Sequence, residues 1–525
     1  MRNFTSSLRC TVAIAHADLL MRLRSPRFWI ALGVLALATW SLFPGRDGWL
    51  AMAVVNSHYR GGYSSAWIGM VLALIDSTLL ALAGFHVIRG TLVRDIDTRV
   101  WQLLVATDMT RRRYLFAKWC AHMIVLLLMA LLSLAVGLVM QWLRAEDLRI
   151  DLIEATKPFL LIALPTLALT AAAAIWFDML PPLRRTAGSV LFFLAWVGAM
   201  AAGTLDRPAW QNPNSAAAFI HDPTGTTVFL RELTRNAAPQ LPQKAVESFC
   251  LLCGGKAAQN TERFVWREWH PRAVDMMARA FWFAVALAAV AAAAPVLDWA
   301  GSRAGSSIEA SGKRIPRNRP LRLLTRALEP LQGSLLGRVV SAELLLTLRQ
   351  RSLLWWFALL VLYVLQCTAT MQIAAVAACL AWTLSLDALA NAALRDEQAG
   401  TGELVFTAPG AVWRVLAARA IGLIAMTLAA TLPAIVRFAF AAPQTALALI
   451  VIGISLSLWG MACGVLLRNA RAYEIAFCLL LYHALNGGAV LNASVDPLHT
   501  ALWHAALLPL PLLALLWRWP RMVHA

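Results

Sequence analysis

The chain has 525 residues, of which 60% are hydrophobic and 14% charged, with a mean hydropathy of +0.65. Soluble globular proteins carry about 25% charged residues, so this composition excludes an ordinary soluble enzyme and points to a chain that faces lipid. The net charge of +18 comes from 46 Lys and Arg against 28 Asp and Glu. In a membrane protein that excess belongs to cytoplasmic loops, so no nucleic-acid partner is read from it.

From the N-terminus, Met1 to Arg27 reads as an amphipathic, Arg-bearing segment without a small-residue cleavage site, so the first span is expected to be retained. A bilayer core about 30 Å thick needs roughly 20 apolar residues as helix. Twelve segments qualify: about 28–43, 64–88, 117–143, 158–178, 187–205, 278–298, 353–370, 372–392, 415–441, 445–467, 473–491 and 500–518. The run from Leu353 to Leu394 is too long for one span and is split near Gln366–Gln372. With the N-terminus inside, Arg22, Arg24, Arg27, Arg94, Arg99, Arg184, Arg185, Arg468, Arg471, Arg518 and Arg521 fall in cytoplasmic segments. The short external loops hold only Arg46, Arg60, Arg144 and Arg149. This asymmetry places both termini in the cytoplasm. The expected fold is an all-α polytopic membrane protein: a six-helix module over 1–298 with an external loop at 205–275, a basic cytoplasmic linker over 299–338, and a second six-helix module over 339–525.

The two halves repeat each other. Arg94-Asp95 aligns with Arg395-Asp396, and the register holds for about 25 residues, pairing Leu103 with Leu404, Arg113 with Arg414 and Lys118 with Arg419. A second match precedes each first span: ADLLMRLRSPRFW from Ala17 aligns with AELLLTLRQRSLLW from Ala342, pairing Asp18 with Glu343 and Arg24 with Arg349. Six spans per half is an even number, so the duplication is parallel, with a pseudo-two-fold axis along the membrane normal.

The stretch from Leu394 to Gly422 reads LRDEQAGTGELVFTAPGAVWRVLAARAIG. Glu403, Leu404 and Phe406 give a short helix with an acidic group and an apolar anchor, and Pro409-Gly410 stops it. Arg414 and Arg419 follow where the next span enters the membrane, placed to hold lipid headgroups. This stretch resembles the ABC-2 type permeases, in which R-D, then G-x-E-L-L-x-(T/A)-x-P and later basic residues mark the helix that contacts the ATPase. Arg395, Asp396, Gly402, Glu403, Leu404, Pro409, Arg414 and Arg419 match. The first copy keeps Arg94, Asp95, Leu103, Arg113 and Lys118 but has Trp101 and Gln102 in place of Gly402 and Glu403, and Asp108 in place of Pro409. The resemblance implies interfacial and cytoplasmic coupling helices, a bacterial inner-membrane location and an exporter's permease subunit. Its partners are then two cytoplasmic ABC ATPase subunits that bind ATP and Mg2+. The chain itself has no phosphate-binding G-x-x-x-x-G-K-[ST] loop, since CGGKAAQN at Cys253 lacks the spacing. No cofactor or metal is expected in the chain, and it is not expected to be an enzyme.

Other candidates come from isolated residues. Cys250 and Cys253 lie in the external loop, where an oxidising compartment favours a disulfide, with free thiols or redox chemistry as alternatives. That loop is long enough for a subdomain that docks a periplasmic partner. Asp76, His86, Asp387 and His483 fall inside predicted spans, where ionisable groups are expensive and functional by default. His86 aligns with Asp387 in the repeat, which suggests a contact across the pseudo-axis, local satisfaction of each being the alternative. An ion-driven secondary transporter using Asp76 and Asp387, and a membrane enzyme, remain as other classes.

Overall fold

The computed structural model describes residues 2–523 apart from 44–49, 99, 101–108, 185, 206–221, 243, 255–260, 298, 300–324, 327, 350, 352 and 486–488. Contacts divide the chain into two compact units, Met1–Ser311 and Gly312–Ala525, and the boundary falls inside the basic linker.

Unit one opens with α1 (Arg2–Leu23) and α2 (Pro26–Ser41). The next span is built from α3 (Ser65–Ile75), a π-helical turn at Asp76–Leu80 and α4 (Ala81–Ile88). Gly90, at φ +92°, then turns the chain into α5 (Thr91–Asp97). Next come the 34-residue α6 (Arg111–Arg144), then α7 (Leu152–Pro158), a second π turn at Phe159–Ala163 and α8 (Leu164–Met179). The unit ends with α9 (Thr186–Leu205), α10 (Thr226–Ala237) and α11 (Ala273–Ala293). The apolar α8 is the hub, packing against α4, α6 and α11.

Unit two runs α12 (Leu335–Arg349), α13 (Leu353–Thr368), α14 (Met371–Asn391), α15 (Arg395–Ala399), α16 (Gly402–Phe406) and α17 (Ala411–Ala430). It continues with α18 (Leu432–Ala441), α19 (Pro443–Leu467), α20 (Ala470–Leu485), α21 (Pro497–Leu507) and α22 (Pro509–Val523). Here α19 is the hub, packing against α14, α17, α20, α21 and α22. Its crossing with α14 is close because Gly460 and Gly464 face it: a Cβ at Gly460 would stand 2.9 Å from the Leu389 carbonyl oxygen.

Among the described residues, eight helices are long and apolar enough to cross a membrane, rather than the twelve expected. The split near Gln366–Gln372 is present, since α13 ends at Thr368 and α14 begins at Met371. Four predicted spans correspond to shorter helices: the apolar stretches Phe28–Ser41, Gly188–Ala202 and Trp355–Thr368, and the 16-residue α20. The predicted span 415–441 is broken at Thr431, because Pro433 has no N–H for the helix ladder. Gln366 of α13 stitches the break. Its Nε2 donates to Ala430 O at 3.2 Å and its Oε1 accepts from Ala434 N at 3.2 Å. Arg437 of α18 donates in turn to the end carbonyls of α13, Gln366 O and Ala369 O.

The helical fold also carries one small sheet that was not expected. A four-stranded sheet joins β1 (Leu50–Val55), β2 (Tyr59–Gly61), β3 (Phe249–Gly254) and β4 (Glu262–Phe264) in the order β3-β1-β2-β4. Strand β1 runs antiparallel to β2 and β3, with Val54 opposite Cys250, while β2 and β4 are parallel. The two pairs of strands come from segments about 200 residues apart, so the sheet ties the chain before α3 to the chain before α11. Asn56 and Ser57, at φ +48° and +61°, make the β1–β2 turn, and the Asn56 side chain bonds Ala245 O, Glu247 N and Ser248 N. Glu146, just beyond α6, clasps the sheet through Arg60 (2.5 and 2.9 Å), Tyr63 N (3.0 Å) and Arg263 (3.1 Å).

Two outcomes follow from these contacts. Gln366→Leu orphans a buried donor and a buried acceptor, and should lower unfolding stability in detergent by about 2–4 kcal/mol. Burial opposes ionisation of Glu146, but the Arg60 pair, the Tyr63 N–H and Arg263 outweigh it and hold its carboxyl below the usual value of 4.5. A carboxyl depressed in the fold contributes stability above that value and loses it as pH falls through the folded value. Limited proteolysis should therefore begin to cut the 249–264 segment on acidification below pH 4.5. In Glu146→Gln that acid step should vanish.

Candidate functional site

Each unit buries a cation between two carboxylates where three helices meet. In unit one, Asp18 comes from α1, Asp95 from α5 and Lys118 from α6. Lys118 Nζ lies 2.8 Å from Asp18 and 2.6 Å from Asp95, and the Tyr114 hydroxyl donates to Asp95 at 2.8 Å. Asp18 and Lys118 are 3% and 2% exposed, so these charges are tied to one another rather than to water. A buried ammonium is tolerable only with such partners, and its three donors suit two carboxylates.

In unit two, Glu343 comes from α12, Asp396 from α15 and Arg419 from α17. Arg419 Nε donates to Glu343 at 3.1 Å and Nη2 to Asp396 at 2.6 Å. Arg395 adds a second cation, donating to Glu343 at 2.7 Å and to the Thr347 hydroxyl at 3.0 Å. Asp18, Asp95 and Lys118 are the positions that align with Glu343, Asp396 and Arg419 in the sequence. The same three elements are joined by the same signs of charge.

The units differ beside this knot. Four residues after Asp18 stands Arg22, which donates to Val87 O and Ile88 O at the end of α4. Four residues after Glu343 stands Thr347, and Arg395 turns inward to bond it. Its counterpart Arg94 is half-exposed, reaching Met21 Sδ at 3.1 Å and lying 4.0 Å from Asp95.

The remaining predicted residues separate. Gln102 and Leu103 lie outside the described residues, as do the side chains of Glu403 and Cys253. Leu404 on α16 is 83% exposed. Phe406 instead packs edge-on against Trp519 of α22, whose Nε1 donates to Val412 O. Pro409 is exposed, and its carbonyl and that of Gly410 accept from Arg414, so Arg414 closes the α16–α17 turn. Arg113 is exposed at the start of α6. Asp387 is held within unit two by Arg351 at 3.1 Å and Asn391 at 3.1 Å. His86 lies against Leu82 O, within unit one, at 3.0 Å. His483 is exposed at the end of α20. Asp76 sits 1% exposed on the π turn, accepting from Ser133 at 3.0 and 3.2 Å. Cys250 is disulfide-bonded. No cluster of His, Cys, Asp or Glu able to hold a metal occurs among the described residues.

Asp18 and Glu343 were not singled out as site residues by sequence reasoning. The signal was there: an acid at one register before each first span, with a second acid and a base following in step.

Removing Lys118 leaves Asp18 and Asp95 without their shared cation, and removing Arg419 strips Asp396 of its cation while Glu343 keeps Arg395. Lys118→Met or Arg419→Met should each cost about 3–5 kcal/mol in detergent unfolding, whereas Lys118→Arg should cost far less. Adding Glu343→Leu and Asp396→Leu to Arg419→Met should recover much of that loss.

No protein-family model matches the chain, and no curated protein or solved structure does either, so the functional reading rests on the residues themselves.

Proposed function

We propose that this chain is the permease of an ABC-2 type ATP-driven transporter, two parallel six-span modules in one polypeptide, that exports a substrate across a bacterial inner membrane. Both termini lie in the cytoplasm, and separate ATPase subunits, one for each module, bind ATP and Mg2+. The external loop is then free to meet a periplasmic partner. The observation that carries the reading is the recurrence of the three-helix ion knot at matching registers.

The knot suits force transmission. A partner pressing on α16 moves α15, which is joined through Asp396 and Arg419 to α17, and through Arg395 and Glu343 to the interfacial helix α12. A charge-assisted hydrogen bond is short and directional, so displacement of one helix is passed to the others rather than absorbed. Leu404 supplies the apolar anchor, standing clear of the fold on a helix whose Phe406 is fastened to Trp519.

A second reading, transport driven by a proton gradient, is favoured by Asp76 alone: a carboxyl in mid-span with a single hydroxyl as its hydrogen-bond partner, beside a π turn of the kind frequent at functional sites. Asp387 does not join it, since Arg351 holds that carboxylate.

Affinity purification in mild detergent separates the two. The wild-type chain should retain a Walker-motif ATPase. Leu404→Asp should lose at least tenfold of it with unchanged unfolding stability, because Leu404 is mostly solvent-exposed. Failure to retain any ATPase under conditions that preserve other membrane complexes would count against the permease reading. Gradient-driven transport abolished by Asp76→Asn would then establish the second.

A further inference from the structure

Beside the knot of unit two lies a cleft between α12 and α17, lined by Glu343, Leu344, Thr347, Arg395, Arg419 and Gly422 among others. Its free space is about 10 Å3, room for one oxygen-sized group. Gly422 keeps it open: a Cβ there would meet only Leu344, at 3.7 Å. Arg419 is 3% exposed and uses Nε and Nη2 on Glu343 and Asp396, while its Nη1 has no hydrogen-bond partner. A buried guanidinium N–H left without an acceptor is a rare and costly feature.

Unit one carries other residues at the matching positions. The position of Thr347 is held by Arg22, whose long side chain runs across to α4. The position of Arg419 is held by Lys118, whose ammonium is bonded to both acids. The position of Gly422 is held by Ala121, which is buried. Unit two carries Thr347, Arg419 and Gly422 there instead.

We propose that this cleft takes one phosphate oxygen of a membrane phospholipid, which accepts from Arg419 Nη1 beside the partly exposed guanidinium of Arg395. An entire phosphate does not fit in the space, but a single oxygen does, with the rest of the headgroup remaining outside. The neighbouring wall is apolar, formed by Leu344, Leu423 and Met426. On its outer side α12 exposes Leu335, Leu336 and Leu346, the pattern of a helix lying in the lipid interface. Glu343 also lines the cleft and pairs with both cations, so the oxygen is recognised by the spare Nη1 donor rather than by net positive charge. Only the choice of the cytoplasmic leaflet rests on the orientation proposed above; the chemistry does not.

The test is lipid retention by the full chain, purified in detergent and read by native mass spectrometry, with phosphatidylglycerol as the probe. Diacylglycerol serves as the phosphate-free control, and inorganic phosphate as the competitor. Arg419→Lys and Thr347→Arg each install the residue that unit one carries, and unfolding stability reports whether each variant folds. The expected result is one phosphatidylglycerol per wild-type chain, no retained diacylglycerol, and about tenfold weaker retention in either variant, the size of one charge-assisted hydrogen bond. Equal retention in wild type and a folded variant, or equal retention of diacylglycerol, overturns the proposal. Full displacement by millimolar inorganic phosphate overturns it too, assigning the cleft to the free anion.

Discussion

A charged group withdrawn from water must be met by partners placed for it, and in this chain that requirement governs the junction of three helices in each unit. Lys118 between Asp18 and Asp95, and Arg419 between Glu343 and Asp396, fix where an interfacial helix, a short helix and an entering span stand relative to one another. Well-packed apolar side chains would often hold such a junction as firmly or more so. What apolar packing does not provide is direction: it allows helices to slide, whereas a guanidinium between two carboxylates has one good geometry.

The same constraint explains most of the polar side chains buried in the spans. Hydrocarbon offers no water to backbone groups freed at irregularities, so side chains must satisfy them. Gln366 bridges the break at Thr431, and Trp196 donates to Thr78 O on the first π turn. Arg279, fully buried on α11, donates to Leu161 O and Ile162 O at the second π turn and to Asp222 O and Pro223 O beyond it. These residues look, one at a time, like transport machinery. Their partners show that they hold backbone. Asp76 differs, because its partner is a hydroxyl and not a carbonyl.

This distinction also marks what the sequence could reveal. Hydropathy separates lipid-facing chain from the rest, and the aligned acids and bases around Arg94-Asp95 and Arg395-Asp396 point to the knots before any coordinates do. Hydropathy is blind to a break such as Thr431–Pro433, where the residues stay apolar while the helix stops, and span lengths were overstated there. The sheet was illegible for another reason. Its strands β1 and β3 are about 200 residues apart, so no hairpin turn or local alternation announces their pairing. Buried partners of Asp387 and His86 were likewise beyond reach, because Arg351 lies 36 residues from Asp387 with no periodic link between them.

The differences between the units are as informative as the likeness. Where unit one has Arg22, bonded to the end carbonyls of α4, unit two has Thr347, and Arg395 bonds both Thr347 and Glu343. Where unit two pairs Arg351 with Asp387, the matching positions of unit one are Pro26 and His86, so both formal charges are absent together. Aligned positions therefore meet different local partners: Arg22 bonds the α4 carbonyls in unit one, while Arg395 bonds Glu343 and Thr347 in unit two.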